Sequence, residues 1–203
     1  MELGIVVAAP LFLIDTSSQF LRFAALLLLA AYCFWRLSTA GARDGYLRLN
    51  WRGCRSALPG ILLRSALAWL AVFAAVALLY PSQLLYLPQH APGLTVAIVC
   101  GYALVSVLPQ EVAFRGYASW RLESLNVPFV PAAVVSGAVF GWVHILYGSW
   151  LSVLLSFLAG TVFYRTYRNS RSLAAVWLEH SLFGSAVFVL GLGHLFYRGP
   201  GID

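Results

Sequence analysis

The sequence contains no lysine, and only 10% of its 203 residues are charged. Soluble domains average about 25% charged residues, so this chain has too little polar surface to cover itself in water. With 61% hydrophobic residues and a mean hydropathy of +0.83, it belongs in a bilayer. Cysteine is also scarce. Cys33, Cys54 and Cys100 are odd in number, widely spaced and without a CxxC pair, which excludes a disulfide framework and a thiolate metal site. They read as small apolar filler. There is no internal repeat, no low-complexity tract and no soluble domain. All 13 basic residues are arginine, against 7 acids. A nucleic-acid binder would need them gathered on one face of a soluble fold. Here they punctuate apolar runs instead, which is the pattern of membrane topology.

What the chain does have is long apolar runs. A spanning helix needs about 20 largely apolar residues, and on that basis spans are predicted near residues 18–37, 58–80, 93–114, 129–147, 149–166 and 172–194. The run from Leu3 to Ile14 is too short to cross alone. It lacks a basic flank and a clear small-residue cleavage site, so a helix lying at the interface, or a partial insertion, is expected there rather than a signal peptide. The expected fold class is all-α: a polytopic transmembrane helical bundle of about six spans. Three regions are expected: N-terminal membrane segments over 1–92, a helical core over 93–195 and a tail over 196–203.

Arginine placement sets the expected orientation. Arg43, Arg48, Arg52 and Arg55 lie between the first two spans, Arg121 follows the third, and Arg165, Arg168 and Arg171 follow the fifth. The alternate connections, PSQLLYLPQHAPG and ILYGSW, carry none. By the positive-inside rule the Arg-bearing loops face the cytoplasm, with both termini outside. A multi-pass protein of the bacterial inner (plasma) membrane is expected. Trp51, Tyr80, Tyr86 and Tyr197 fall near the ends of spans, where such rings anchor helices.

PQEVAFRGY, residues 109–117, places Glu111 and Arg115 inside the third apolar run. An ion at the centre of a spanning helix costs about 2.5–3.5 kcal/mol on insertion scales. Spaced four apart, the two share a helix face and pair, which reduces that cost without removing it. The plain reading is a structural clamp between helices. His144, one turn after Phe140, and His180, after Glu179, add polar groups to two further spans. A lone histidine in an apolar helix is more often a hydrogen-bonded core residue than a catalyst. A carboxylate and two imidazoles on three helices, however, are what water activation requires: a base, and a donor for a developing oxyanion.

The order of these motifs resembles the CPBP family, the CAAX prenyl protease and bacteriocin-processing intramembrane endopeptidases also called Abi. That family carries Glu-Glu-x-x-x-Arg, then Phe-x-x-x-His, then His-x-x-x-Asn, each on its own helix. This chain has Gln110-Glu111-Val-Ala-Phe-Arg115-Gly116, then Phe140-Gly-Trp-Val-His144, then His180-Ser-Leu-Phe-Gly184. The resemblance covers roughly residues 95–190. It implies peptide-bond hydrolysis within the bilayer, on a membrane-anchored or lipidated protein, by metal-independent glutamic-type chemistry.

Two positions depart from the pattern. The family's first glutamate, its water-activating base, aligns with Gln110, and a carboxamide does not accept a proton at neutral pH. The family's asparagine aligns with Gly184, leaving Ser185 as the neighbouring polar side chain. Three readings are open. Glu111 is itself the base, with His144 helping to activate water, His180 stabilising the oxyanion and Arg115 holding Glu111. Alternatively Glu179 supplies the base, unless it merely pairs with Arg171 or another arginine. In the third, the site has lost its base and the protein is an inactive binding or immunity protein. Two histidines with Glu111 would also make a zinc set with water as fourth ligand, but there is no HExxH, and no cofactor is expected. A small transporter component is the reading from another class. Against it, there is no inverted repeat and no pair of broken helices.

These boundaries carry one difficulty. At 1.5 Å per residue, Glu111 falls toward the Arg-bearing end of its span and His144 toward the opposite end of the next. They meet only if a helix tilts, shortens or kinks, with Pro109, Pro128 and Pro131 as the candidate causes.

Overall fold

The computed structural model describes residues 18–195. The short apolar run 3–14, Tyr197 and the 196–203 tail lie outside the described residues. Six long helices carry the chain: α1 Gln19–Thr39, α2 Trp51–Leu79, α3 Pro92–Ser124, α4 Phe129–Val143, α5 Trp150–Ser170 and α6 Leu173–Leu190. There is no strand among the described residues. Five of the six, all but α5, are long and apolar enough to cross a membrane. α5 has the length, at 21 residues or ~31 Å, but ends in Arg165, Arg168 and Asn169. The all-α bundle of about six spans is therefore observed.

Sequence-local signals set where four of these helices begin. Ser18, Asn50, Ser149 and Ser172 each accept a hydrogen bond from the backbone N–H three residues on, capping α1, α2, α5 and α6. The bundle is apolar outside as well as inside. Leu62, Leu63, Leu67 and Leu70 of α2 are exposed by half or more, whereas Glu111, Arg115 and Glu179 are completely buried. This is the inverse of a soluble protein and suits a hydrocarbon surround.

α4 and α5 pack most closely, because glycines let their backbones meet. A Cβ on Gly160 would lie 2.9 Å from Phe140 Cβ and 3.1 Å from the Gly137 Cα. At the Arg-bearing end, Glu123 of α3 accepts from Tyr46 Oη (2.9 Å) and Arg171 (2.8 Å) and pairs with Arg168 (3.1 Å). Leu173 N–H and Ser172 Oγ donate to the carbonyls of Arg48 and Leu49. These contacts tie the α1–α2, α3–α4 and α5–α6 connections together.

Two span boundaries differ from expectation, and one removes the depth difficulty. α2 begins seven residues earlier, at Trp51, where Asn50 caps it. The third helix does not stop near 114 but runs to Ser124, so Arg121 lies on helix rather than in a loop. Glu111 is then thirteen residues before Ser124, ~20 Å along the axis, and His144 is fifteen residues after Phe129, ~22 Å. Measured from the short connection between α3 and α4, the two stand at about the same depth.

Candidate active site

Glu111 occupies a single α-helical turn, Leu108–Glu111, between two π-helical stretches, Tyr102–Val107 and Val112–Tyr117. Pro109 accounts for the first. It has no N–H, so an uninterrupted α register would strand the carbonyl four residues back. A π turn inserts one residue and rotates the next stretch of helix about its axis, a device frequent at functional sites. Side chains serve the loosened backbone. Trp177 Nε1–H donates to the Ala103 carbonyl at 2.7 Å, and the Gln110 amide donates to Ser106 O and Oγ at 3.1 and 2.9 Å. Gln110 is thus turned back along its own helix.

The core of the site is one buried pair. His180 Nδ1–H donates to Glu111 Oε1 at 2.6 Å, with the carboxylate fully buried and the imidazole 5% exposed. Glu111 Oε2 faces Arg115 Nε at 3.4 Å, an ion pair one helical turn long. Arg115 Nη2–H donates to the Gly160 carbonyl at 3.2 Å, a carbonyl brought close by the tight α4–α5 packing. Its guanidinium lies 4.4 Å from the Phe140 ring centroid and 5.2 Å from that of Phe163, so ring faces take over part of the lost hydration.

Phe140 joins the two histidines. Its ring lies 4.7 Å from that of His144 and 5.3 Å, edge-on, from that of His180. Phe163 stacks on the other side of His180 at 4.7 Å. α4 ends at His144, where the chain tightens into a 3-10 turn, His144–Tyr147, closed by the left-handed Gly148. His144 Nδ1 lies 2.7 Å from the Phe140 carbonyl. A carbonyl only accepts, so Nδ1 carries the proton and Nε2 is the acceptor nitrogen of the neutral ring.

Glu111, Arg115, Phe140, His144 and His180, drawn from three separate motifs, therefore come together. The other candidates do not join them in the expected way. Glu179, about 100° round α6 from His180, pairs with Arg64 of α2 at 2.7 Å; Arg171, its expected partner, goes to Glu123. Ser185 Oγ–H donates to the Ser181 carbonyl at 2.6 Å, within its own helix. Space beside Gly184 is filled by the ring and hydroxyl of Tyr102. His90 and His194 stack on Tyr86 and meet Tyr80 edge-on, outside this cluster. Sequence reasoning missed Tyr102, Phe163 and Trp177, which carry no local signal. It also missed Arg64, a charge within the second apolar run.

Among the described residues no three His, Cys, Asp or Glu side chains gather into a group able to hold an ion. Glu111 Oε1 and His180 Nδ1 are bonded to each other.

Apolar helices enclosing a fully buried set of ions define an integral, multi-pass membrane protein. Residues 91–186 match the family model described as type II CAAX prenyl endopeptidase, Rce1-like. Over that stretch, which holds every residue of the cluster, the chain is similar to this family of proteases. No curated protein and no solved structure matches the chain.

Proposed function

We propose that the protein is a metal-independent intramembrane endopeptidase of glutamic type, cutting a peptide bond near the terminus of a prenylated or otherwise membrane-anchored protein. The arginine distribution supports a plasma-membrane orientation with the Arg-bearing end in the cytoplasm. The match of residues 91–186 to the endopeptidase family model supports the peptidase chemistry. The observation that carries the mechanism is the buried Glu111–His180 hydrogen bond.

With Glu111 ionised beside Arg115, the shared proton sits on His180 Nδ1 and leaves Nε2 unprotonated. His180 Nε2 is then the base. Water attacks the carbonyl carbon, a C–O bond forms, the carbonyl π pair moves to oxygen, and the water proton passes to Nε2. Glu111 stabilises the imidazolium so formed, which returns the proton to the departing amine as the C–N bond breaks. His144 offers a second acceptor nitrogen to align the water. Glu111 acts through His180 here, rather than on water directly as expected from the motif alone. Gln110 in place of a glutamate does not disable this arrangement, because the residue reaching His180 is Glu111.

The test is terminal-peptide proteomics on membranes of cells expressing the native chain, Glu111→Gln, His180→Ala or an empty vector. New peptide termini with the native chain, lost in both variants at equal protein abundance, are expected. Termini that persist in both variants would remove the Glu111–His180 pair from the mechanism. A native sample identical to the empty vector would instead favour the non-catalytic binding reading.

A further inference from the structure

Both histidines of the site are acceptors on their outer nitrogen. His144 commits its proton to the Phe140 carbonyl and His180 commits its proton to Glu111. A carbonyl oxygen that gains negative charge needs a donor, and in the neutral state neither Nε2 is one. Arg115 pairs with Glu111 and donates from Nη2 to Gly160; its Nη1 has no hydrogen-bond partner among the described residues but is fully buried beside the Phe140 and Phe163 rings, and Ser185 is bonded within its own helix.

Tyr102 brings a hydroxyl to this face. Tyr102 opens the first π-helical stretch of α3. Its ring meets His180 edge-on at 6.0 Å and Phe188 at 5.2 Å, which fixes its direction. Its hydroxyl end lies directly over Gly184, where a Cβ would overlap both the oxygen and the ring. Residues 180 and 184 are one turn apart on the same face of α6, so the hydroxyl sits beside His180. It donates to no group among the described residues. Gly184 is required by this contact: any side chain there would displace the phenol.

We propose that Tyr102 is a catalytic residue, its O–H donating to the carbonyl oxygen as water adds. This rests on the hydrolase reading above. In the addition step the C–O bond forms, the water proton goes to His180 Nε2, and the electron pair arriving on the carbonyl oxygen is held by the Tyr102 O–H. The phenol keeps its proton throughout. When the C–N bond breaks, the pair returns to the carbonyl and the hydrogen bond weakens.

The test uses the full chain in proteoliposomes and a peptide bearing a prenylated cysteine near its C-terminus. Tyr102→Phe retains the ring and removes only the hydroxyl. Its kcat is expected to fall ~10²-fold, the loss of one oxyanion donor, with KM unchanged. Binding of the matching peptide aldehyde, whose hydrate imitates the intermediate, is expected to weaken similarly while binding of the cleaved product stays constant. Tyr102→Ala/Gly184→Asn places a carboxamide N–H in the vacated space and is expected to recover part of the kcat lost in Tyr102→Ala. A Tyr102→Phe chain with kcat within about twofold of native and unchanged aldehyde binding overturns the Tyr102 role while leaving the hydrolase reading intact. A native chain that cuts neither this peptide nor any protein in the proteomic experiment overturns both.

Discussion

Arg64 of α2 and Glu179 of α6 meet at 2.7 Å, the carboxylate wholly buried and the guanidinium 37% exposed. Arg115 is attracted by both Glu111 and Glu179, so four side chains alternate in sign: Glu111, Arg115, Glu179, Arg64. Their sum is neutral. Arg64 ends the series at a cavity of about 280 Å³, lined also by Ala57, Arg165, Thr166 and Asn169. This series is what makes up for placing Glu111 and Arg115 in an apolar helix.

Removing the outer end of that series should leave Glu179 as an uncompensated buried charge. Arg64→Met is expected to destabilise the protein by about 3 kcal/mol, the low end for a broken buried pair because Arg64 is partly exposed. Arg64→Met/Glu179→Gln should recover most of it. Denaturation in detergent micelles compares the three, and a double variant no more stable than the single one would rule out the pairing as the source.

Glu111→Gln keeps an oxygen that accepts from His180 Nδ1 but loses the charge that stabilises an imidazolium. Activity is expected to fall 10²–10⁴-fold while the melting temperature moves by only a few degrees. Single-turnover cleavage of the prenylated peptide measures the first and a thermal shift the second.

Gly160→Ala would drive a methyl group against Phe140 Cβ and the Gly137 backbone. Overpacking of this kind costs about 1–3 kcal/mol. Because Phe140 supports both histidines and Arg115, activity should fall more than stability alone explains. Kinetics at a temperature where the variant remains folded would reveal the excess, and normal kcat there would count against Phe140 as the platform.

Glu123→Ala provides the contrasting case. It releases Tyr46, Arg168 and Arg171 at the Arg-bearing end, far along α3 from Glu111. A loss of about 1 kcal/mol is expected for this partly exposed network, with kcat unchanged. A large kcat effect would mean the loops at that end control the site.

Much of the fold was legible because length and apolarity alone decide what can cross a bilayer. All six helices and their order follow from run lengths, and the caps at Asn50, Ser149 and Ser172 are local. The end of α3 was not legible. The stretch from Arg115 to Ser124 is polar enough to read as a loop, but it is held as helix by packing against α1 and by the Glu123 contacts. Similarly, Glu111, Arg115, His144 and His180 were visible as polar groups in apolar surroundings, whereas Tyr102 and Phe163 looked like ordinary membrane aromatics.

By itself the sequence determined that this is a membrane-spanning helical protein carrying three polar motifs on three helices, because the insertion cost of each ion makes it conspicuous one residue at a time. Only the tertiary structure decided which atoms meet. It set the direction of Glu111 through two π turns, assigned Glu179 to Arg64, turned Gln110 and Ser185 back onto their own helices and placed the Tyr102 hydroxyl over Gly184. The reason is physical: composition and spacing govern partition into the bilayer, whereas contacts between residues some seventy positions apart depend on helix phase and the close approach of backbones.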